Sequence, residues 1–393
     1  MPFPIREWMA VCVAAVVIVC FGWLGVGDTF RAVASGTDVY AFLLGIVAIA
    51  ELARFSGVFE RLAAMLLRLA AGSYLRLLAW VYALGTVVTI FLSNDTTAVI
   101  LAPAVFAAVG RVRGVARPYL YACAFVANAA SFVLPISNPA NLVFFGSRLP
   151  PLLSWIRIFG LPSLAAIVLT LLALIALFRN DICRSYGATA SAARWTRREI
   201  IGGVALAASA LLLVLSAHAG WRIGYAAFGA AATSTLVLEL IERGAARAVG
   251  RYLAWEVVLF VAGLYVIVAT LDRHGALQIV RASFAHAQSL GPQLGALAIG
   301  GAVTAACAAA NNLTVGLVAG KALTAVSAGT WAAHAAMVAV DLGPNLAASG
   351  SLATMLWLAS IRREGLDITW GEFLRVGAIV VTPALTAALL LLR

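Results

Sequence analysis

Apolar runs close to twenty residues long recur along the whole chain, and they decide what it can fold into. Leu161 to Phe178 and Val204 to Leu215 are apolar on nearly every face, and about 20 such residues in a helix span the ~30 Å hydrocarbon core of a bilayer. A soluble core could not hide this much apolar surface: 63% of residues are hydrophobic, 11% are charged and the mean hydropathy is +1.01. A transmembrane barrel would need polarity alternating at period two, which these runs lack. The sequence therefore predicts an all-α polytopic membrane protein. Its first run, Met9 to Val26, exceeds a signal-peptide core and has no small-x-small cleavage site, so it reads as a retained helix.

The formal net charge of +11 would suit nucleic acid if the arginines shared one face. They fall instead between apolar runs, the pattern of cytoplasmic loops, and no nucleic-acid partner is expected. With Met1 cytoplasmic, the chain crosses at 8–27, 39–53, 118–150, 158–179, 200–217, 221–241, 252–271, 330–360 and 373–392, while 77–110 and 289–328 are hairpins that enter and return. This path leaves 19 of the 27 basic residues inside, Arg6 and Arg113 among them. Outside lie Arg31, Arg148, Arg157, Arg222, Arg273, Arg281, Lys321 and Arg393. The Arg-rich loop Asn180 to Glu199 is then cytoplasmic. The hairpins follow from length: about 15 residues separate Thr96 from the basic cluster at Arg111, roughly 22 Å of helix, too short to cross. Leu52 to Ala71 mixes Arg54, Glu60, Arg61 and Arg68 with leucines, as an interfacial helix does.

Four polar segments interrupt the apolar runs. Ser93-Asn94-Asp95-Thr96-Thr97 and Ala310-Asn311-Asn312-Leu313-Thr314 sit at the hairpin tips, and each precedes a second break, Pro135 to Asn141 and Asp341 to Leu346. Unpaired backbone amides cost several kcal/mol in hydrocarbon, so such segments survive only inside protein or along a watery cavity. The chain reads as a first repeat over 1–179, a cytoplasmic linker and extra crossing over 180–220, and a second, inverted repeat over 221–393. Each repeat carries one hairpin (77–110, 289–328) and one broken helix (118–150, 330–360), the plan by which secondary transporters aim half-helix termini at a site near the midplane.

Ser93 to Pro103, Ile136 to Val143, Asn311 to Val315 and Asp341 to Thr354 together resemble the arsenite permease (arsenical pump membrane protein) family of the ion transporter superfamily. The resemblance extends through Thr369-Trp370-Gly371 and the last helix. It implies a secondary transporter of the bacterial inner (cell) membrane that exports arsenite or antimonite, an arsenical-resistance function coupled to proton influx. It also implies a homodimer and leaves open a cytoplasmic ATPase subunit. The chain departs from the family by being short, by Pro139 and Ala140 in the first break, and by Ala347 and Ala348 in the second. A sodium/proton antiporter and a sodium-coupled anion symporter of the same superfamily are the alternatives.

Arsenite near neutral pH is the uncharged As(OH)3, which needs donors and acceptors rather than a counter-charge. Asn94, Asn138, Asn141, Asn311, Asn312 and Asn345 offer both, with Ser93, Thr97, Ser137, Thr314 and Ser351 as hydroxyl partners. A carboxylate substrate would want a cation, yet none of the four segments holds Lys or Arg; Asp95 and Asp341 lie there instead. Ionisable groups at membrane depth are functional candidates, so Asp95 and Asp341 are assigned the coupling ion. Every one of these side chains also has a plainer role in capping half-helices and satisfying freed backbone. Cys307 draws notice because trivalent arsenic is thiophilic, but small buried cysteines are common in apolar helices. Five cysteines and four histidines show no metal spacing, no disulfide framework and no cofactor motif, and the chain has neither a Gly-rich phosphate loop nor a hydrolase signature.

Overall fold

The computed structural model describes residues 7–111, 115–187, 194–253, 255–324 and 330–392. Arg6, Arg113, Arg393 and the middle of the 180–199 loop lie outside the described residues. The chain runs through one series of helices and then through a second in the same order. The first comprises α1 (Glu7–Cys20), α2 (Val26–Ser35), α3 (Thr37–Ser56), α4 (Val58–Leu69) and α5 (Tyr74–Leu92). A return arm follows, α6 (Asn94–Thr96) leading through a π-helical turn (Thr97–Leu101) into α7 (Ala102–Arg111); then come α8 (Arg117–Ala129), α9 (Pro139–Phe145) and α10 (Leu152–Leu177). The short α11 (Arg179–Ile182) and the long α12 (Arg197–Ala219) connect the series. The second comprises α13 (Ile223–Ile241), α14 (Ala245–Tyr252), α15 (Trp255–Arg273), α16 (Leu277–Ser289), α17 (Pro292–Ala310), α18 (Asn312–Thr324), α19 (Trp331–Leu342), α20 (Leu352–Arg363) and α21 (Trp370–Leu390).

The two series interlock by exchanging partners. Helix α1 packs on α15 while α13 packs on α3; α2 lies on α15 while α14 lies on α3; and α10 packs against α21. Within each series the hairpin's first arm lies on the first half-helix, α5 on α8 and α17 on α19. The long crossings approach closely where glycine removes the side chain: a Cβ on Gly45 of α3 would overlap the α13 backbone, and one on Gly263 of α15 would overlap Val11 of α1. Lacking a hydrophobic force between helices in lipid, close van der Waals packing at small residues is what joins them.

Among the described residues, eight helices are long and apolar enough to cross a membrane. Among them is α5, whose 19 residues meet the length of a span, whereas its return arm from Asn94 to Gly110 is shorter. The apolar run at the start extends less far than its composition predicts: α1 ends at Cys20, where Gly22 takes a positive φ of 70°, and the chain turns into α2. Three further short helices, α2, α14 and α16, lie where loops or parts of crossings are expected from hydropathy. The stretch read as one interfacial helix, Leu52 to Ala71, is divided at Gly57 between the end of α3 and α4, and α4 buries Phe59, Ala63, Leu66 and Leu67 on one face. It is tied to the start of α12 by a half-buried ion pair, Arg61 to Glu199 at 3.0 Å.

Candidate functional site

Each hairpin turns on a non-glycine residue with positive φ. Ser93 (φ 96°, ψ 158°) follows α5 and Asn311 (φ 68°, ψ 143°) follows α17. Both still close the preceding helix, Ser93 N–H donating to Thr89 and Asn311 N–H to Cys307. Such conformations cost about 1–3 kcal/mol in a residue with a Cβ and persist only where the surroundings impose them. The next residue opens the return arm, so Asn94 and Asn312 occupy matching places, a register one residue different from pairing Asn94 with Asn311.

The breaks match in the same way. After α8 the chain unwinds until Asn138, extended at φ −149°, caps α9 by accepting from Ala140 N–H at 2.9 Å. After α19 it unwinds until Ser351, extended at φ −146°, caps α20 by accepting from Thr354 N–H at 3.1 Å. Pro139 at the first helical position and the Asn138 cap fix where α9 restarts, and the Ser351 cap does so for α20.

Tips and breaks meet at one small cavity. It is lined by Asn94 and Asp95 from the first tip, Asn312 and Leu313 from the second, Asn138 and Pro139 from the first break, and Ser351 with its neighbours from the second; Leu43 of α3 and Val257 of α15 close the sides. Among the described residues no Lys or Arg lines it. The first turns of the return arms and of the second half-helices all line it, and Asp95 is its one carboxyl group; helix N-termini favour negative charge beside them. Its volume is about 10 Å³, room for about one water. The buried Asn94 Oδ1 has no hydrogen-bond partner among the described residues, which leaves an acceptor for a donor.

The remaining predicted residues stand behind or beside this cavity. Asp341 is fully buried and accepts from Asn138 Nδ2 at 2.8 Å, so it reaches the cavity through Asn138. Asn141 holds the first break together, donating to the Ser131 and Leu134 carbonyls, and Ser137 donates to Ile90 at 2.8 Å. Thr97 pairs with Thr89 at 2.8 Å across the first hairpin, and Ser93 Oγ is buried without a partner among the described residues. Asn311 turns its amide oxygen onto Leu313 N–H at 3.0 Å, a cap of α18. Thr314 lines a separate apolar groove between α16, α17 and α18. Cys307 is fully buried on α17 near Gly343, a packing position.

Asn345 belongs to a second polar knot that sequence reasoning did not assemble. Asn128 of α8 donates to Asn345 Oδ1 at 2.9 Å and to Thr354 Oγ1 at 3.4 Å, Asn345 donates to the Phe125 carbonyl, and Thr354 pairs with Ser351 at 2.8 Å. Asn128 is the penultimate residue of α8 and Asp341 the penultimate residue of α19. A lone asparagine inside the otherwise apolar stretch Leu120 to Ala130 was the available signal.

The profile of the citrate transporter family, CitMHS, matches residues 3–359. The arsenical pump membrane protein of Escherichia coli K12 is 30% identical over 374 residues, covering 90% of this chain and 86% of its own length. That of Yersinia enterocolitica is 28% identical over 98% of this chain and 93% of its own. An uncharacterised transporter of Mycobacterium tuberculosis is 27% identical over 96% and 92% respectively. Among solved structures, the YdaH transporter of Alcanivorax borkumensis, described as having an unusual topology, superposes with a TM-score of 0.57 at 16% identity, covering 93% of this chain and 86% of that one.

Proposed function

The chain belongs to the citrate transporter family and is related over most of its length to arsenical pump membrane proteins, and from that premise we propose that it exports arsenite or antimonite in exchange for protons. It is an integral membrane transporter by family and by its eight long apolar helices; a bacterial cell membrane is the setting its relatives favour. The observation that carries the substrate is the lining of the cavity: amides, a hydroxyl, one carboxylate and no cation, with the buried acceptor of Asn94 unpartnered. As(OH)3 brings three O–H donors and no charge, so it satisfies this lining without a counter-ion. Citrate would bring several carboxylates beside Asp95 with no Lys or Arg to pair them, an arrangement that desolvation makes costly.

Coupling is assigned to Asp95, which lines the cavity and forms no ion pair among the described residues, with Asp341 one hydrogen bond behind it through Asn138. A cavity with room for about one water cannot hold As(OH)3 as it stands, so substrate binding requires the tips and breaks to part. The interlocked helices support a reading of the chain as two inverted repeats joined by α12, with both hairpins re-entrant, so that one set of elements rocks against the other around the site. Uptake of radiolabelled arsenite by everted vesicles tests the proposal. Accumulation driven by an acid interior and stopped by a protonophore is the expected result; no arsenite accumulation above vesicles lacking the protein overturns it.

A further inference from the structure

Helices α9 and α18 run side by side away from the cavity, and their contact is close enough that a Cβ on Gly320 would overlap the Phe144 carbonyl oxygen. At the far end of this seam lies an open pocket of about 480 Å³. It is lined on one side by Phe144, Phe145 and Arg148, on the other by Leu317 and Lys321 of α18, and at its back by Asp272 of α15 and Arg281 of α16. Arg281 is committed to Asp272 at 2.7 Å, yet its Nε is buried and has no hydrogen-bond partner among the described residues. Three cations and a single carboxylate line this open space, which Phe144, Phe145 and Leu317 wall in part. The charge-based path leaves only eight basic residues outside, and three of them meet here. An anion seated in this pocket is attracted by each of them.

We propose that this pocket binds a phosphate-type oxyanion, either free or as the headgroup of an anionic phospholipid, through Lys321, Arg148 and Arg281. Tetrahedral oxyanions accept several charge-assisted hydrogen bonds at once, and guanidinium groups meet them with a planar fork that an ammonium lacks. Basic pockets between membrane helices hold lipid headgroups by the same chemistry. Because Lys321 belongs to the second hairpin's return arm and Arg148 follows α9, an anion shared between them ties the two sides of the seam together and favours its closed arrangement.

The test uses the purified full chain in phosphatidylcholine nanodiscs, titrated with inorganic phosphate at constant ionic strength, and in nanodiscs carrying added phosphatidylglycerol. Saturable binding of phosphate identifies a free anion; retention of phosphatidylglycerol that phosphate does not displace identifies a headgroup. Either outcome supports the site, provided Lys321→Gln weakens binding about tenfold or more, the loss expected for a hydrogen bond to a charged group. Lys321 is exposed, so this variant folds without a buried defect. Arg281→Lys keeps the charge facing Asp272 while removing the fork, and it should weaken binding as well. Absence of saturable binding by the unaltered protein in both nanodiscs, or equal binding by Lys321→Gln, overturns the proposal. Binding is read without transport, so the result is independent of which solute the protein exports.

Discussion

The two hairpin tips share a backbone and differ in charge. Ser93-Asn94-Asp95 and Asn311-Asn312-Leu313 place a positive φ, then an asparagine on the cavity, then a third residue on the cavity, in the same order. That third residue is an acid in one tip and a leucine in the other. The half-helices repeat the lesson with the sides reversed, since the penultimate residue is Asn128 in α8 and Asp341 in α19. Capping and backbone satisfaction are needed equally in both halves. A carboxylate that only one half carries at each place is therefore not demanded by the fold, and its use must be sought in transport.

Asp95→Asn should produce the largest effect, because it makes the first tip as uncharged as the second. Gradient-driven export falls by about a hundredfold or more, the scale on which a charged group in an enclosed site acts, while the variant is inserted and unfolds at nearly the same temperature. Retained coupling in everted vesicles would reduce Asp95 to a helix cap and pass the role to Asp341.

Asparagines at the tips should separate by register. Asn94→Ala and Asn312→Ala remove groups on the cavity and should each lower transport tenfold or more, with little loss of stability. Asn311→Ala removes the cap on Leu313 N–H and should appear instead as a loss of about 0.5–2 kcal/mol in stability. Denaturation and transport measured on the same three preparations decide the matter. Transport lost with Asn311 and kept with Asn312 would put the register back one residue.

A smaller and opposite effect is expected at Ser93, whose hydroxyl has no partner among the described residues and whose φ of 96° suits glycine. Ser93→Gly should raise stability by up to about 2 kcal/mol, the relief of strain less the added freedom of the unfolded chain. Thermal unfolding in detergent measures it, and a destabilised variant would show that the tip is unstrained.

The smallest effect lies in the clips that hold the short helices. Asp28 of α2 bonds to Arg31 and, across to α15, to Arg273 at 2.5 Å. The Arg31 bond foremost, then both arginines' charges, hold its carboxyl below the ordinary 3.8. A depressed carboxylate contributes stability above about 3.8 that is lost as pH falls through its lower folded value. Being exposed, the clip is also weakened by salt. Protection of the α2 amides, taken relative to the intrinsic exchange rate at each pH, should therefore fall in acid and in high salt, and fall in Asp28→Asn at neutral pH. Exchange in α14, whose first N–H groups are held by Glu239, should be untouched by that variant.

Much of this was legible in the sequence because lipid is a strict solvent. Asn94, Asp95, Asn138, Asn312 and Ser351 stood out as polar residues interrupting apolar runs, and the structure brings all five to one cavity. The register of the second tip was not legible, since two successive asparagines give no sign of which accepts a positive φ. Thr314 was grouped with the site by proximity, yet it lies two residues past Asn312, about 200° around the helix. Helices α2, α14 and α16 were missed because short amphipathic stretches carry little signal beside long apolar ones. Asn128 was missed because its partners, Asn345 and Thr354, lie more than 200 residues away.

Proton movement set against arsenite movement, in the same sealed vesicle, tests the tip asymmetry most directly. Proteoliposomes loaded with arsenite and a trapped pH dye, then diluted into arsenite-free buffer, should report arsenite efflux accompanied by proton uptake for the unaltered protein. Asp95→Asn should abolish the pH change, and Leu313→Ala should preserve it. A pH change of normal size in Asp95→Asn, or arsenite efflux with no pH change in the unaltered protein, would contradict the account.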